Sequence, residues 1–340
     1  MRPDTRQTLN APALLAAHEA HMTRLAALYG GTRLARPFRL WGVRGKGRAD
    51  PYRDPDRWTT EALDDLAAQA EFLRDTEVFR PLTFDFGPYG VHLIDRMFGA
   101  HVFELGPGNW QAHTLTSRTG ELRPPDLGSD DTWRLAQRIA EAFLSARVAV
   151  PLFGLPTIAS ALNIAVNLYG QEILVAMRTE PAAARHDLAV INDLLCALHR
   201  WYLQHLPLAQ LQPVIAAFRT QPPGFGQLCG CTTHLVSASL YRDLVAPLDD
   251  ALLSVYPHGG MIHLCGAHAQ HIPTWQAMPS LRAVQLNDRA ADDLELYYRG
   301  LRDDQIIYVN AYEGMPVNRI LAITGGHRTV IVADPIQQEG

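Results

Sequence analysis

Residues 261–310 read MIHLCGAHAQHIPTWQAMPSLRAVQLNDRAADDLELYYRGLRDDQIIYVN. A short apolar run recurs in them, at 261–264, 283–286 and 306–309. These runs are too short for helices. They are continuous rather than alternating, as in strands buried on both faces. Between them, 268–277 and 290–300 carry apolar residues at helical spacing. Strand and helix alternating in this way require a parallel sheet joined by right-handed crossovers.

The pattern extends in both directions. Downstream, a helix near 316–322 leads to a strand at 330–332. Upstream, 226–228 and 214–218 read as strands and 239–256 as a helix. Residues 157–177 and 181–206 are helical, the latter with Pro181 in its first turn. A buried strand at 148–153 follows a helix at 130–146. Two further strands are expected at 82–86 and 101–104, with a helix over 89–98 and a Gly- and Pro-containing excursion over 105–129. Roughly eight strands in such an order predict an α/β fold, a (β/α)8 TIM barrel. A doubly wound open sheet is the alternative. The N-terminal part reads differently. A helix over 13–29 ends at Gly30-Gly31, 37–57 reads as a Pro-, Gly- and Arg-rich loop, and Asp56 is placed to cap a helix over 57–74. The expected organisation is an N-terminal helical extension with an Arg/Gly loop over 1–75 and the barrel over 76–340.

Composition narrows the chemistry. With 340 residues and 47% apolar content, the core needs no disulfide or metal staple. A net charge of -5 lacks the basic footprint of a nucleic-acid protein. No apolar run reaches the ~18 residues of a membrane span. His18 and Glu19 interrupt the first apolar stretch, which therefore does not read as a signal peptide. Four Cys in so long a chain are not a disulfide scaffold, so a reducing, cytoplasmic setting is expected. Lys46 is the sole lysine. No GxxxxGK[ST] loop exists, and a Schiff base would have to form on Lys46.

A barrel places its chemistry at the C-terminal ends of its strands. There the chain carries His263-x-Cys265, whose side chains share one face of an extended segment and suit zinc. The preceding strand ends in LCGCTTH, which puts Cys229, Cys231 and His234 on the neighbouring stave. Buried cysteines that serve only as small apolar residues would look the same. Cys196, within an apolar helix, reads as core, and His268 and His271 read as helix-start residues. Asp85, Asn287-Asp288 and Asn310 with Tyr312 and Glu313 supply oxygen and nitrogen groups at other strand ends, or helix caps. Arg44, Lys46 and Arg48 lie among glycines, where a backbone can approach an anion and Arg can grip a carboxylate.

At these motifs the chain resembles the uroporphyrinogen decarboxylase superfamily. That group includes decarboxylases of haem biosynthesis and zinc-dependent methyltransferases that move a methyl group from a corrinoid to a thiol. The resemblance rests on 148–200, VAVPLFGLPTIAS and LYGQEILVAMRTEPAAARHDLAVINDLLCAL, and on 228–310, CTTHLVSASLYRDLVAPLDDALL, GGMIHLCG and VQLND. It implies a barrel with its pocket at the strand C-termini. The methyltransferase branch implies Zn2+ on His263 and Cys265. No Cys follows Cys265, so a third thiolate would come from Cys231, with Cys229 as the alternate. Asp288 or Glu313 would then orient ligands or cofactor. The decarboxylase branch implies carboxylate binding by Arg44 and Arg48, a pocket position at Cys231, a late Gly326-His327 and a catalytic Asp85. That Asp would stabilise positive charge on a pyrrole-like ring as CO2 leaves. Its pocket Tyr has no counterpart, since 157–164 reads TIASALNI. Tyr312 and His327 join Arg44 and Arg48 as expected substrate contacts.

The leading expectation is a zinc-dependent methyltransferase acting on a small-molecule thiol. A metal-free decarboxylase of a carboxylate-rich substrate is the alternative, and a non-enzymatic corrinoid- or tetrapyrrole-binding barrel the third. No Asp-x-His-x-x-Gly signature is present, so a corrinoid would arrive free or on a separate corrinoid protein. Apolar barrel faces could support a homodimer.

Overall fold

The parallel wall is built from the apolar runs. The computed structural model describes residues 1–2 and 4–333, so residues 334–340 of the expected barrel unit lie outside it. In chain order the strands are β1 (Phe38–Leu40), β2 (Val43–Arg44), β3 (Leu82–Asp85), β4 (Val102–Gly106), β5 (Asn109–Ala112), β6 (Leu152–Gly154), β7 (Leu211–Gln212), β8 (Gly226–Cys229), β9 (Gly260–Cys265), β10 (Leu281–Asn287), β11 (Ile306–Asn310) and β12 (Thr329–Val332). A six-stranded parallel sheet runs β1-β12-β11-β10-β9-β8, and a four-stranded one runs β2-β3-β6-β7. β1 and β2 are two halves of one stave, broken at Trp41-Gly42, and they join the sheets into a barrel wall. Helices cover the outside. Among the described residues none is long and apolar enough to cross a membrane.

β8, β9 and β11 are buried along their length until their last residue, and β10 likewise apart from Arg282. β8, β9, β10 and β11 end on Cys229, Cys265, Asn287 and Asn310, each half-buried. The apolar part of each run fills the core, and the first thiol or amide marks where the wall meets the mouth.

Three expectations change. The loop expected over 37–57 contains the first stave, so a boundary at residue 75 does not separate an extension from the barrel. Its apolar content is low because only Phe38 and Leu40 face the core. Second, 101–104 is no stave. It belongs to an antiparallel hairpin, β4 with β5, outside the parallel wall. Third, 214–218 is apolar because it plugs the barrel, not because it builds the wall. After β7 the chain turns inward through Ile215, at φ 56 and ψ 50. Ala217 O then accepts from Gly42 N at 2.8 Å, and Asp85 Oδ1 accepts from Ala216 N at 3.4 Å. Thr220 O accepts from the Tyr308 hydroxyl at 2.7 Å. The plug thus touches staves that are not its sequence neighbours.

Smaller shifts have local causes. The helix expected from residue 57 starts at Pro55, because Asp54 rather than Asp56 caps it by accepting from Arg57 N at 3.1 Å. It ends as Pro55–Ala68, and a 3-10 turn, Ala70–Arg74, completes the stretch. Gly170, at φ 62, divides 157–177 into Ala161–Tyr169 and Glu172–Thr179. Pro247 removes a helical donor, and the chain widens to a π turn at Tyr241–Val245 just before it.

Gly42 is required by the plug: a Cβ there would lie 2.6 Å from Ala217 Cα, backbone against backbone. Gly42→Ala is expected to destabilise the fold by about 1–3 kcal/mol through overpacking, read as a lowered urea midpoint at unchanged slope.

Candidate metal centre

β8 and β9 run side by side in parallel register, with Cys229 opposite His263. His263 and Cys265 lie two residues apart on β9 and share its inner face. After β8 a 3-10 turn, Cys231–Leu235, folds Cys231 back over the strand end. The result is a sulfur-rich cluster. Cys229 Sγ is 3.3 Å from Cys231 Sγ, and Cys265 Sγ is 3.1 Å from His263 Nε2. Cys229, Cys231 and His263 each offer a ligand atom within 4.8 Å of the others. Cys229, expected only as an alternate, is therefore in this compact group, and Cys265 sits against its imidazole.

The imidazole is held by a chain of amides whose direction is determined. The Asp288 carboxylate can only accept, and it accepts from Asn287 Nδ2 at 2.8 Å. Asn287 Oδ1 then accepts from Asn310 Nδ2 at 2.8 Å. Asn310 Oδ1 accepts from Gln285 Nε2 at 2.9 Å. Gln285 Oε1 is left to accept from His263 Nδ1 at 2.8 Å. His263 must carry its proton on Nδ1, and Nε2 presents a lone pair to the sulfurs. Asn287 Nδ2 also reaches Cys265 Sγ at 3.5 Å, closing the ring of side chains.

Two lone pairs, on Nε2 and on a Cys265 thiolate, cannot lie 3.1 Å apart without positive charge between them. That charge is a proton or a metal ion. Hydrogen bonding from Cys231, then from His263, pulls the Cys265 thiol down to about 3. Cys229 is lowered to about 6, again chiefly by Cys231. Cys231, hydrogen-bonded to both other sulfurs and partly buried, is raised instead. A buried imidazole with a fixed bare nitrogen, beside sulfurs ready to ionise, fits a tetrahedral metal with nitrogen and sulfur ligands. Asn163 supports the same cluster: its Nδ2 lies 3.3 Å from Cys229 Sγ, and its Oδ1 accepts from Thr232 N at 3.3 Å.

The neighbouring histidines do structural work. Cys265 O can only accept, so His268 donates from Nε2 at 2.7 Å and takes the Thr233 hydroxyl on Nδ1 at 2.9 Å. Burial lowers His268 to about 4, so it stays neutral. His271 bonds Thr233 O at 2.9 Å. Together they clamp the cysteine turn to the end of β9. His234 is exposed and bonded to Cys231 O. Cys196 is buried in its helix, as read from the sequence.

The other expected site residues are dispersed. Asp288 lies at the mouth, where its carboxylate accepts from Asn287 Nδ2. Glu313 is exposed, and the exposed Tyr312 hydroxyl bonds Asp292. The expected set of carboxylate-binding groups does not assemble. Arg44 is spent on Asp85, Nε to Oδ2 at 3.4 Å, with its guanidinium 5.3 Å from the Phe218 ring. Arg48 is exposed, and its loop is tied to a helix by Glu61, which accepts from Arg48 N and Ala49 N at 2.7 Å. Gly47 serves that packing: a Cβ would meet Trp58 at 2.5 Å. His327 precedes β12 and so lies at the foot of the barrel, opposite the mouth. Asp85 is buried and its carboxyl pKa is raised, burial outweighing Arg44 and the plug amides; it anchors the plug.

The cluster opens into a cavity of about 330 Å³ lined by Cys229, Cys231, His263, Asn163, Gln227 and Arg219. Gln285, Asn163 and Arg219 were not legible as site residues. Gln285 is one polar residue within an apolar strand, a usable signal. Asn163 and Arg219 are brought in by tertiary packing alone.

The fold is similar to that of the methyltransferase from Methanosarcina mazei, at a TM-score of 0.57 and 12% sequence identity over 92% of each chain. A B12-independent methionine synthase from Shewanella sp. W3-18-1, in complex with selenomethionine, aligns at a TM-score of 0.46 and 11% identity, over 87% of this chain and 89% of that one. No family model and no curated protein matches the sequence. The barrel is the fold that the resemblance to the uroporphyrinogen decarboxylase superfamily implied.

In metal-free, reduced protein, the hydrogen bonds that Cys265 receives hold its thiol below the ordinary range. Its alkylation by iodoacetamide is expected to stay level between pH ~5 and ~8, whereas an ordinary thiol speeds up with pH over that range. Peptide mass spectrometry after timed quenching gives the rate for each cysteine.

Proposed function

We propose that the chain is a zinc-dependent methyltransferase that transfers a methyl group to a small thiol. The observation that carries this reading is the bare Nε2 of His263, aimed by Gln285 at sulfurs lining the cavity. His263, Cys231 and Cys229 would hold the ion, with Cys265 as the neighbouring sulfur able to take a ligand place. Three protein ligands leave the fourth tetrahedral position to the acceptor. Zinc there would keep the acceptor sulfur as a thiolate at neutral pH, which is the nucleophile methyl transfer needs.

The chain's own groups have distinct tasks. Gln285 sets the tautomer and angle of His263, and Asp288 sets the direction of the amide chain. Asn163 and Thr232 hold the cysteine turn against the cavity. The mouth faces outward at the strand ends, which suits a corrinoid donor presented free or on a separate corrinoid protein. The fold shared with the M. mazei methyltransferase is compatible with this reading.

Elemental analysis of the protein as purified tests it. About one zinc per chain is expected, lost in Cys231→Ser and in His263→Gln. Comparing Cys229→Ser with Cys265→Ser identifies the third sulfur. Protein that takes up no zinc on titration, with its thiols reduced, overturns the proposal. Gln285→Leu is expected to weaken zinc binding by roughly 10- to 100-fold in a chelator competition, while leaving the ligands in place.

A further inference from the structure

The plug ends in an arginine whose charge faces the cysteine sulfurs but which makes no hydrogen bond to them among the described residues. Arg219 is 7% exposed and lines the same cavity as Cys229, Cys231 and His263. One nitrogen is occupied: Nη1 lies 3.5 Å from Val214 O, and Gln227 accepts from it at 2.8 Å with its amide turned to present oxygen. The other edge is free. Nε is buried without a partner, and Nη2 makes no hydrogen bond among the described residues. Among the described residues no carboxylate forms an ion pair with Arg219; Asp85 acts on it only at longer range and is itself paired with Arg44. The cysteine sulfurs and Asp85 offset part of the cost of burying the charge, but the unbonded Nε–H group keeps its own desolvation penalty.

The route that places Arg219 there is itself strained. Ile215 is β-branched and adopts a left-handed conformation, which L residues of that shape avoid. Asp85, Gly42 and Tyr308 hold the strained segment in place. A buried guanidinium with an unbonded edge on an enforced backbone is a built feature, and its free Nε–Nη2 edge has the spacing of a planar carboxylate.

We propose that Arg219 is the carboxylate-binding residue of the cavity. Its ligand is a short organic acid whose far end reaches the cysteine–histidine cluster. Combined with the function proposed above, on which this part rests, the acceptor is a thiol carrying a carboxylate. A cavity of about 330 Å³ admits a molecule of that size and excludes a large one.

The test separates the subsite from the metal. Zinc-free wild-type protein is titrated with propionate and with 1-propanol while the arginine Nε–H resonances are followed. Propionate is expected to shift one buried resonance, absent in Arg219→Met, and the alcohol to leave it in place. Zinc-loaded protein is then titrated calorimetrically with 3-mercaptopropionate, 2-mercaptoethanesulfonate and 2-mercaptoethanol. The carboxylate is expected to bind roughly 10- to 100-fold tighter than the neutral thiol, with the non-planar sulfonate between them. Arg219→Met removes the difference, and Arg219→Lys restores part of it. Equal affinity for acid and neutral thiol in the wild type, a comparison that needs no variant, overturns the proposal. So does a zinc-free protein blind to propionate. If zinc never binds but propionate still shifts the Arg219 signal, the subsite stands and the metal reading falls.

Discussion

An imidazole can bind a metal only through a nitrogen that carries no proton, and the contact between His263 Nδ1 and Gln285 Oε1 decides which nitrogen that is. The choice is relayed from Asp288 at the rim, through Asn287 and Asn310, by groups on β10 and β11 and the turn after β10. Every amide in the chain could flip in isolation. The carboxylate at one end removes that freedom, because it has nothing to donate. Parallel register then places the outcome: Asn287 pairs with Cys265, and Cys229 with His263. The electronic state of the cluster and the alignment of the wall are therefore one constraint.

The sulfur cluster sits where the apolar core stops. Buried thiols alone would be neutral and inert. Here Cys231 lies between two partners, so the cluster ionises as a unit and Cys265 and Cys229 become the acidic members. His268 and His271 remain neutral because burial costs them their charge, and they act as struts. Three histidines within nine residues thus have two kinds of task, separated by what each second nitrogen faces.

The plug ties the fold to the cavity. A barrel this size needs its interior filled, and 213–220 fills it with backbone as well as side chains. Asp85 accepts from the plug amides, Arg44 faces Asp85, and Phe218 lies under Arg44. Residues that resemble a substrate-binding set in the sequence are consumed by this internal contact. Holding Ile215 left-handed costs about 1–3 kcal/mol, and the segment it redirects delivers Arg219 to the cavity wall.

The barrel was legible from residues 261–310 because its later strands are continuous apolar runs, and burial on both faces leaves no other pattern. His263-x-Cys265 and the Cys229, Cys231 pair were legible because each spacing is local to one strand end. Residues 37–44 were not, since a short, half-buried stave rich in Arg and Gly carries the composition of a loop. Residues 214–218 were misread for the opposite reason: hydropathy reports burial and is silent on whether the buried chain is wall or plug. Nor could the chain order alone show that Arg219 stands in the cavity. The sequence by itself determined the fold class and the His263-x-Cys265 and Cys229-x-Cys231 spacings at strand ends, because both follow from neighbours along the chain. Only the tertiary structure decided the His263 tautomer, the role of Asp85 and the placing of Asn163 and Arg219, because those depend on hydrogen bonds between residues tens to more than a hundred positions apart.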